Sequence, residues 1–454
     1  MATPITTRSG KGSELSWNEV DNNFTNLKNT ADAAEEAVNK STSVVTDQAS
    51  NTKYPTVKAV FDWATSQFQR VVNKDNTDGY VGLTTFNINF KNVANTFTSY
   101  FTNTNTASRT YAFPDKAGTI ALANDVRNYN HIINGRLEFW QRGTSQFTSG
   151  YGSVDRFLSA FIGSTLDIYR ESFSPGQTDV EGNPNYFLRS VVVAAAGLSN
   201  YAAISHRIES VASLSGKTCV LSFSAKADGL RPIAIEFEQF FGTGGGSSSV
   251  TGIGVTKIWL TTVWQRFEIP VVIPSIAGKA LGPNKDDFLS VNIWFDAGSD
   301  YNSRTDGLGR ESGTFDIAML KLEEGSIATP IEPLDYNTEL GRCQRYFEKS
   351  YPIGVRPGTP SSDGAFLAQV AGLSSAIRTI NVPYRFRTRK RAAPTMTFYN
   401  MNTGTTGKLY DHISGEISVI GAGADESGGR VWGQQSAAQT SYEVYAQFTA
   451  NAEL

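Results

Sequence analysis

The sequence predicts a mainly β chain that begins with an α-helical coiled coil. Three observations carry this. Short runs of alternating apolar and polar residues recur through the chain, separated by Gly, Pro, Asn and Ser. Only 18% of the 454 residues are charged, while 41 are Gly, 27 Phe and 18 Tyr, a composition suited to strands and turns rather than helix bundles. One stretch departs from it: Trp17, Val20, Phe24, Leu27, Ala31, Ala34 and Val38 recur at alternating spacings of three and four.

That stretch is an a/d heptad seam. Ser16 and Glu19 open it as a capping box, the hydroxyl accepting from the Glu19 amide and the carboxylate reaching back. The helix would span roughly 33 Å. Its narrow apolar stripe has nothing in its own segment to bury against, so self-association through the seam is expected. An ordinary amphipathic helix packed on its own domain is the alternative. Residues 1–14 are small and polar and read as an arm. Residues 39–51 are Ser/Thr-rich and form no core. Residues 1–52 therefore read as an attachment arm with a coiled coil.

Residues 53–133 read as a helix and a short β shaft. Tyr54-Pro55 leads into Val60, Phe61, Ala64 and Phe68, a second amphipathic helix with Pro55 near its first turn and an end near Val72. Phe86, Ile88 and Phe90 then alternate with Asn, and Tyr100, Phe101, Tyr111 and Phe113 follow. This segment is too small and polar for a core of its own, so burial shared between chains is expected.

Residues 134–336 read as a β-sandwich or jelly roll, with strands expected at Ser190–Val193, Cys219–Ala227, Ile233–Phe241, Phe267–Ile273, Leu289–Phe295 and Thr314–Leu322. Residues 337–454 read as a helix over Thr338–Lys349 followed by a small β tip domain.

Several function classes lose support. The net charge of −3 gives no global field for nucleic acid. No apolar run of about 18 residues offers a membrane span, and Met1 to Gly12 has no signal-peptide core. Cys219 and Cys343 make no metal or redox spacing and read as buried thiols, with their disulfide state left open. His131, His206 and His412 have no partner at metal spacing, so no metal or cofactor is expected. The Gly-rich run 242–249 lacks the Lys-Ser/Thr ending of a phosphate loop and reads as a hairpin loop. Residues 300–307 have Arg304 where a calcium loop needs an oxygen ligand. Glu323-Glu324 and Asp286-Asp287 are neighbours, which point to opposite faces of a strand and cannot flank one sugar bond. No catalytic residue is expected.

Two groups suggest binding. Sugars present C–H patches ringed by hydroxyls, which flat aromatic faces beside polar groups can hold. Tyr151, Tyr186 and Tyr301 sit in polar, Gly/Asn-rich loops and are candidate platforms. Trp140, Trp264 and Trp294 lie in or beside strand-like runs and read as core. In the run from Tyr384 to Arg391, strand alternation would place Arg385, Arg387, Arg389 and Arg391 on one face, able to contact an anionic glycan. A solvated face or an inter-chain ion-pair row is the plainer reading.

Several boxes resemble bacteriophage tail fibres. Lys11-Gly12-Ser13-Glu14-Leu15-Ser16-Trp17-Asn18-Glu19-Val20-Asp21-Asn22-Asn23-Phe24 and Tyr54-Pro55-Thr56-Val57-Lys58-Ala59-Val60 are similar to their N-terminal parts. Tyr111-Ala112-Phe113-Pro114-Asp115-Lys116-Ala117-Gly118-Thr119-Ile120-Ala121-Leu122 resembles the element at their shaft-to-head junction. The boxes from Asn134 to Gly143, at Ser215-Gly216-Lys217, from Trp264 to Phe267 and from Ile317 to Pro330 resemble the carbohydrate-binding jelly roll found in such proteins. The Glu339-to-Phe347 segment, Arg391 to Thr397 and Tyr445 to Leu454 resemble the joint and the β tip. The resemblance implies an elongated homotrimer, a virion protein made in the host cytoplasm. Its N-terminus would dock on a phage tail or adaptor protein, and its distal domains on host surface polysaccharide or lipopolysaccharide. A glycan-degrading, tailspike-like enzyme and a purely structural spacer are the alternatives.

Overall fold

The computed structural model describes residues 4–37, 40–41, 54–55, 58–65, 87–91, 98–102, 129–371, 379–434 and 441–454. The chain forms two compact units, Met1–Ala117 and Gly118–Leu454.

In the first unit, α1 (Arg8–Lys11) is a single turn and α2 (Trp17–Ala37) is the expected long helix. Its capping box forms: the Glu19 amide donates to Ser16 Oγ at 3.3 Å, and the Ser16 amide donates to the Glu19 carboxylate at 2.8 Å. Lys11 also pairs with that carboxylate, and these bonds lower its pKa to about 2, Lys11 contributing most. The arm before α2 is pinned. The Thr6 amide donates to the Asn23 side chain at 2.8 Å, and Asn26 donates to the Pro4 carbonyl at 3.1 Å. On the expected seam, Trp17, Phe24 and Leu27 are 86%, 67% and 55% exposed. Val20 is half-buried and Ala31 exposed, while Val38 and the side chain of Ala34 lie outside the described residues.

β1 (Lys40–Ser41) pairs in parallel with β2 (Tyr54–Pro55), and α3 spans 58–65. Tyr54 and Pro55 are thus extended and stand just ahead of the helix, and a residue before proline is pushed out of the helical region. Phe68 and Val72 lie outside the described residues. β3 (Asn87–Lys91) and β4 (Thr98–Thr102) pair antiparallel, with Ile88 opposite Phe101. These two strands match the expected alternation; Phe86 and the junction element at 111–122 lie outside the described residues.

The second unit holds two packed sheets and a third. β5 (Ser145–Gln146), β7 (Thr165–Ser172), β8 (Tyr186–Val193), β10 (Thr218–Ala227), β13 (Gln265–Val272) and β15 (Gly313–Glu324) form one sheet, in the order β13-β10-β15-β8-β7-β5. β6 (Phe157–Ile162), β9 (Tyr201–Glu209), β11 (Arg231–Phe240), β12 (Val250–Leu260) and β14 (Phe288–Ala297) form the other, in the order β12-β11-β14-β9-β6. Leu221, Phe223, Ile317 and Leu322 of the first sheet join Ile204, Ile235, Phe237 and Ile293 of the second in one core. Each expected strand overlaps an observed one. Cys219 and Cys343 are free and buried.

Both outer faces of this sandwich are largely covered by its own chain. Over β11 and β14 lies a short turn, Ser299–Tyr301, with α4 (Asn302–Thr305). There Arg304 donates to Glu236 at 2.6 and 2.9 Å and to Glu238 at 3.0 Å. On the opposite face, Phe173, Val180, Ile331 and Trp264 pack on Phe187 and Met319.

α5 (Tyr336–Gln344) is capped by Asp335, which accepts from the amides of Asn337 and Thr338. The sequence predicts this helix through Lys349. It ends at Gln344, and Phe347–Lys349 is β16, paired with the end of β23 (Ser441–Asn451). Tertiary partners override helix propensity here: Lys349 donates to the carbonyls of Gln141, Ile353 and Val355 at 2.6–2.7 Å, and Glu348 accepts from Lys390 at 2.6 Å. Burial pushes the Lys349 ammonium down to about 8.

The third sheet adds β17 (Phe366–Ala371), β18 (Thr379–Arg385), β19 (Thr395–Tyr399), β20 (Lys408–Asp411), β21 (Gly415–Ala424) and β22 (Gly428–Gln434). The order β17-β23-β20-β21-β22-β18 ends on β17 and β18. The sheet curls so that these end strands approach, with the rings of Phe366 and Tyr384 5.9 Å apart, yet among the described residues they do not pair. The small barrel is left with an open seam.

A buried ionic joint ties this sheet to the sandwich. Arg142 and Arg156 both reach Glu453, Arg142 at 3.0 Å. Arg156 stacks 3.5 Å over the Tyr346 ring and Arg142 3.7 Å over Phe347. Burial lowers Arg142 to about 10 despite Asp155 nearby.

Candidate functional site

The seam between β17 and β18 is a cleft of about 680 Å³, in the range of small-ligand sites. Its floor is aromatic: Phe366, Tyr384 and Phe448, with centroids 5.5–5.9 Å apart. The Tyr384 hydroxyl is already used, donating to the Gly423 carbonyl at 3.1 Å, and burial raises its pKa to about 12. Gly429 is required beside it, since a Cβ there would overlap the Gly423 carbonyl and the Tyr384 hydroxyl.

Alternation sets the rim. Tyr384 and Phe386 turn to the core, while Arg385 and Arg387 are exposed and line the cleft. Among the described residues neither guanidinium has a hydrogen-bond or ion-pair partner. The two carboxylates of the lining are occupied. Glu348 accepts from the amides of Arg387 and Thr388 and from Lys390. Asp425 accepts from the amides of Ser427 and Gly428 at 2.6 and 3.0 Å.

The arginine run does not form a single face. β18 ends at Arg385, so strand alternation governs only the first half of the run. Arg389 lies 3.5 Å from Glu426 on the surface. Arg391 turns away and donates to the carbonyls of Ala452, Lys285 and Glu453. The structure thus places Arg385 and Arg387 together at the cleft, and Arg389 and Arg391 elsewhere.

None of the three tyrosines is a bare ring. Tyr151 is half-buried, its hydroxyl donating to the Leu454 carbonyl at 3.4 Å. Tyr186 is half-buried with the Arg170 guanidinium 4.5 Å over its ring. Tyr301 packs edge-on against Tyr201 and tilted against Trp294, at 5.1 and 5.2 Å. Among the described residues, rings left open on the sandwich include Trp259, 54% exposed on edge strand β12, and Phe147, 57% exposed. Trp140 and Trp294 are buried, as the sequence predicts. Phe366, Phe448 and Asp425 of the cleft have no local sequence signal; only the aromatic-basic interleaving around Tyr384 points there.

Among the described residues, no group of three His, Cys, Asp or Glu is placed to hold a metal, and no helix is long and apolar enough to cross a membrane. His206 is buried, its Nε2 accepting from the Ile133 amide at 3.1 Å.

No protein-family model matches the chain, and no curated protein matches it. Among solved structures it is similar to the family 11 carbohydrate-binding module from Clostridium thermocellum in complex with a β-1,3-1,4-mixed-linked tetrasaccharide. That likeness has 15% identity and a TM-score of 0.25, over 41% of this chain and 98% of that one. It is also similar to the module TmCBM61 in complex with β-1,4-galactotriose, with 12% identity and a TM-score of 0.23, over 43% of this chain and 99% of that one. A third is the enzymatically active domain of tailspike protein 4 from bacteriophage CBA120, with 12% identity and a TM-score of 0.26. It covers 43% of this chain, which spans only 21% of that one.

Proposed function

We propose that the chain is a non-catalytic adhesin subunit of phage tail-fibre type. It forms a homotrimer through the stripe on α2, docks on a phage tail or adaptor protein through its N-terminal part, and binds a host surface glycan through Gly118–Leu454. Its place is the virion. The observation that carries glycan binding is the seam cleft, an aromatic floor with polar and cationic groups at its rim. The bare rings of Trp17 and Phe24 support self-association, since exposed apolar stripes of this spacing are buried by copies of the helix. Three weak sites on one axis gain avidity without new contacts. The non-catalytic part is supported by Glu348 and Asp425: carboxylates held by backbone amides, Glu348 also by Lys390, are poorly placed to move a proton or attack a sugar.

The test uses the full chain. Light scattering should give three times the chain mass, and Trp17→Ser with Phe24→Ser should reduce it; a monomeric mass for the native chain overturns the trimer. Bacterial surface polysaccharides mixed with the protein should co-elute with it at undiminished size. Shortened polysaccharide would replace the adhesin by a depolymerase, and free elution of every polysaccharide would favour a spacer.

A further inference from the structure

We propose that the β17–β18 seam is specific for an acidic sugar, whose carboxylate is held by Arg385 and Arg387 while its ring lies toward Phe366, Tyr384 and Phe448. This rests on the glycan-binding reading above and names the ligand class.

Three features of the cleft point there. The first is an imbalance of charge. Lys349, Lys390, Arg385 and Arg387 stand at or just beneath the lining, against the two carboxylates Glu348 and Asp425. Lys390 is used by Glu348, and Lys349 by three carbonyls, so among the described residues the unmatched cations of the cleft are the two arginines on the rim. Arginine presents a planar fork of donors that matches a carboxylate in a bidentate way.

The second is the floor. A free inorganic anion would satisfy the arginines but leave the apolar floor uncovered at half-buried Phe366, beneath which Tyr384 and Phe448 pack in the core. A sugar acid carries both parts on one ring, a C–H face for the aromatics and a carboxylate for the fork. A neutral sugar would fill the floor and leave the two guanidiniums crowded by ligand without a charged acceptor.

The third is the edge itself. A peptide strand adding to the seam needs donors along β18, and Pro383, which lines the cleft, removes one. The seam is thereby blunted against strand addition and left to a ligand read by side chains.

The probes are trigalacturonate and an α-2,8-linked sialic acid trimer, each with its carboxyl-reduced neutral counterpart, titrated calorimetrically into the full chain. At least one acidic trimer should bind, at least ~10-fold more tightly than its reduced form. Its affinity should fall several-fold between ~50 and ~500 mM salt. R385Q/R387Q should abolish the preference while leaving the thermal midpoint unchanged. Equal binding of acidic and reduced trimers overturns the acidic specificity and leaves glycan binding standing. Acid-specific binding that survives R385Q/R387Q overturns this site. Binding of surface polysaccharides with no binding of either acidic trimer overturns the ligand class, and binding of no glycan at all fails the adhesin reading itself.

Discussion

In the sandwich, Glu236, Asp296, Asp316 and Glu323 are all buried, and each has its own cation: Arg304, Arg310, Arg189 and Lys321. In the small sheet, Lys390 and Glu348 are matched in the same way, but Arg385 and Arg387 a few residues away are matched by nothing described. Arg304 on α4 and Arg310 in the loop after it reach in from the segment over one face, while Arg189 and Lys321 stand on the strands β8 and β15 themselves. The small sheet ends in two strands that approach without pairing. Burying a charge costs several kcal/mol unless it is paired, so paired charges report folding. Unpaired cations beside an apolar floor add nothing to folding and are free to serve a ligand.

The sharpest way to break this contrast is to unpair a buried charge. Glu453→Ala leaves Arg142 and Arg156, the latter 0% exposed, without their shared carboxylate. The expected loss is ~3–5 kcal/mol in denaturant unfolding. An unmoved midpoint would show that the joint between sandwich and small sheet is energetically idle. Lys390→Gln removes the cation from buried Glu348, which keeps the amides of Arg387 and Thr388, and should cost toward the lower end of that range. Arg304→Ala is expected to cost somewhat less, ~3 kcal/mol, because Glu236 keeps donors from Gly252, Asn292 and Trp294. It should also loosen the packing of Tyr301 against Trp294, readable as a change in tryptophan fluorescence.

The same division decides what the sequence made legible. Strands whose core residues recur at a period of two, such as Cys219, Leu221, Phe223, Ala225 and Ala227 of β10, could be read directly. β12 could not, because Gly252 and Gly254 take left-handed conformations and the register slips beside them. β9 was hidden because Ala202 and Ala203 are both buried, one in the core and one under the covering segment, so no alternation survives. The helix overshoot to Lys349 has a tertiary cause: Glu348 and Lys349 read as solvated helix charges, but their partners Lys390 and the Gln141 carbonyl are over 40 residues away in sequence. Tyr301 looked like a loop platform because nothing local reveals its packing against Tyr201 and Trp294. At the cleft, Arg385 and Arg387 were legible from alternation. Phe366 and Phe448 were not, since only the pairing of β17 with β23 brings them together.

Acid separates the regions more gently. Burial holds His206 neutral, well below its ordinary pKa, with Arg156 adding to the effect. Below about pH 6.5 the unfolded chain takes up this proton and the native one does not. The stability of the sandwich should therefore fall as pH drops from ~6.5, until the native ring itself titrates. His206→Gln should flatten that slope in thermal unfolding between pH 7 and 5. Glu19 on α2 is shifted down for another reason, the Lys11 and Ser16 bonds. Its contribution is complete above the ordinary carboxylate pKa of 4.5 and is lost as pH falls toward about 2. Helicity of α2, followed by circular dichroism on the full chain, should hold through the His206 window and fray only in the lower one. Fraying already at pH 5.5 would mean the capping box does not hold the helix.

The smallest effect on stability is the most informative for function. Arg385 and Arg387 are exposed and, among the described residues, unpaired, so R385Q/R387Q should stay within about 0.5 kcal/mol of the native chain in denaturant unfolding. Lys390, three residues further on, is fully enclosed by Glu348 and the carbonyls of Gln344 and Thr388. One short run thus holds side chains that fold the domain and side chains that do not. If R385Q/R387Q proved as destabilising as Lys390→Gln, the two arginines would have partners that serve folding, and the cleft would lose its claim on a ligand. If stability holds, the run keeps two exposed cations over an aromatic floor for which folding provides no reason.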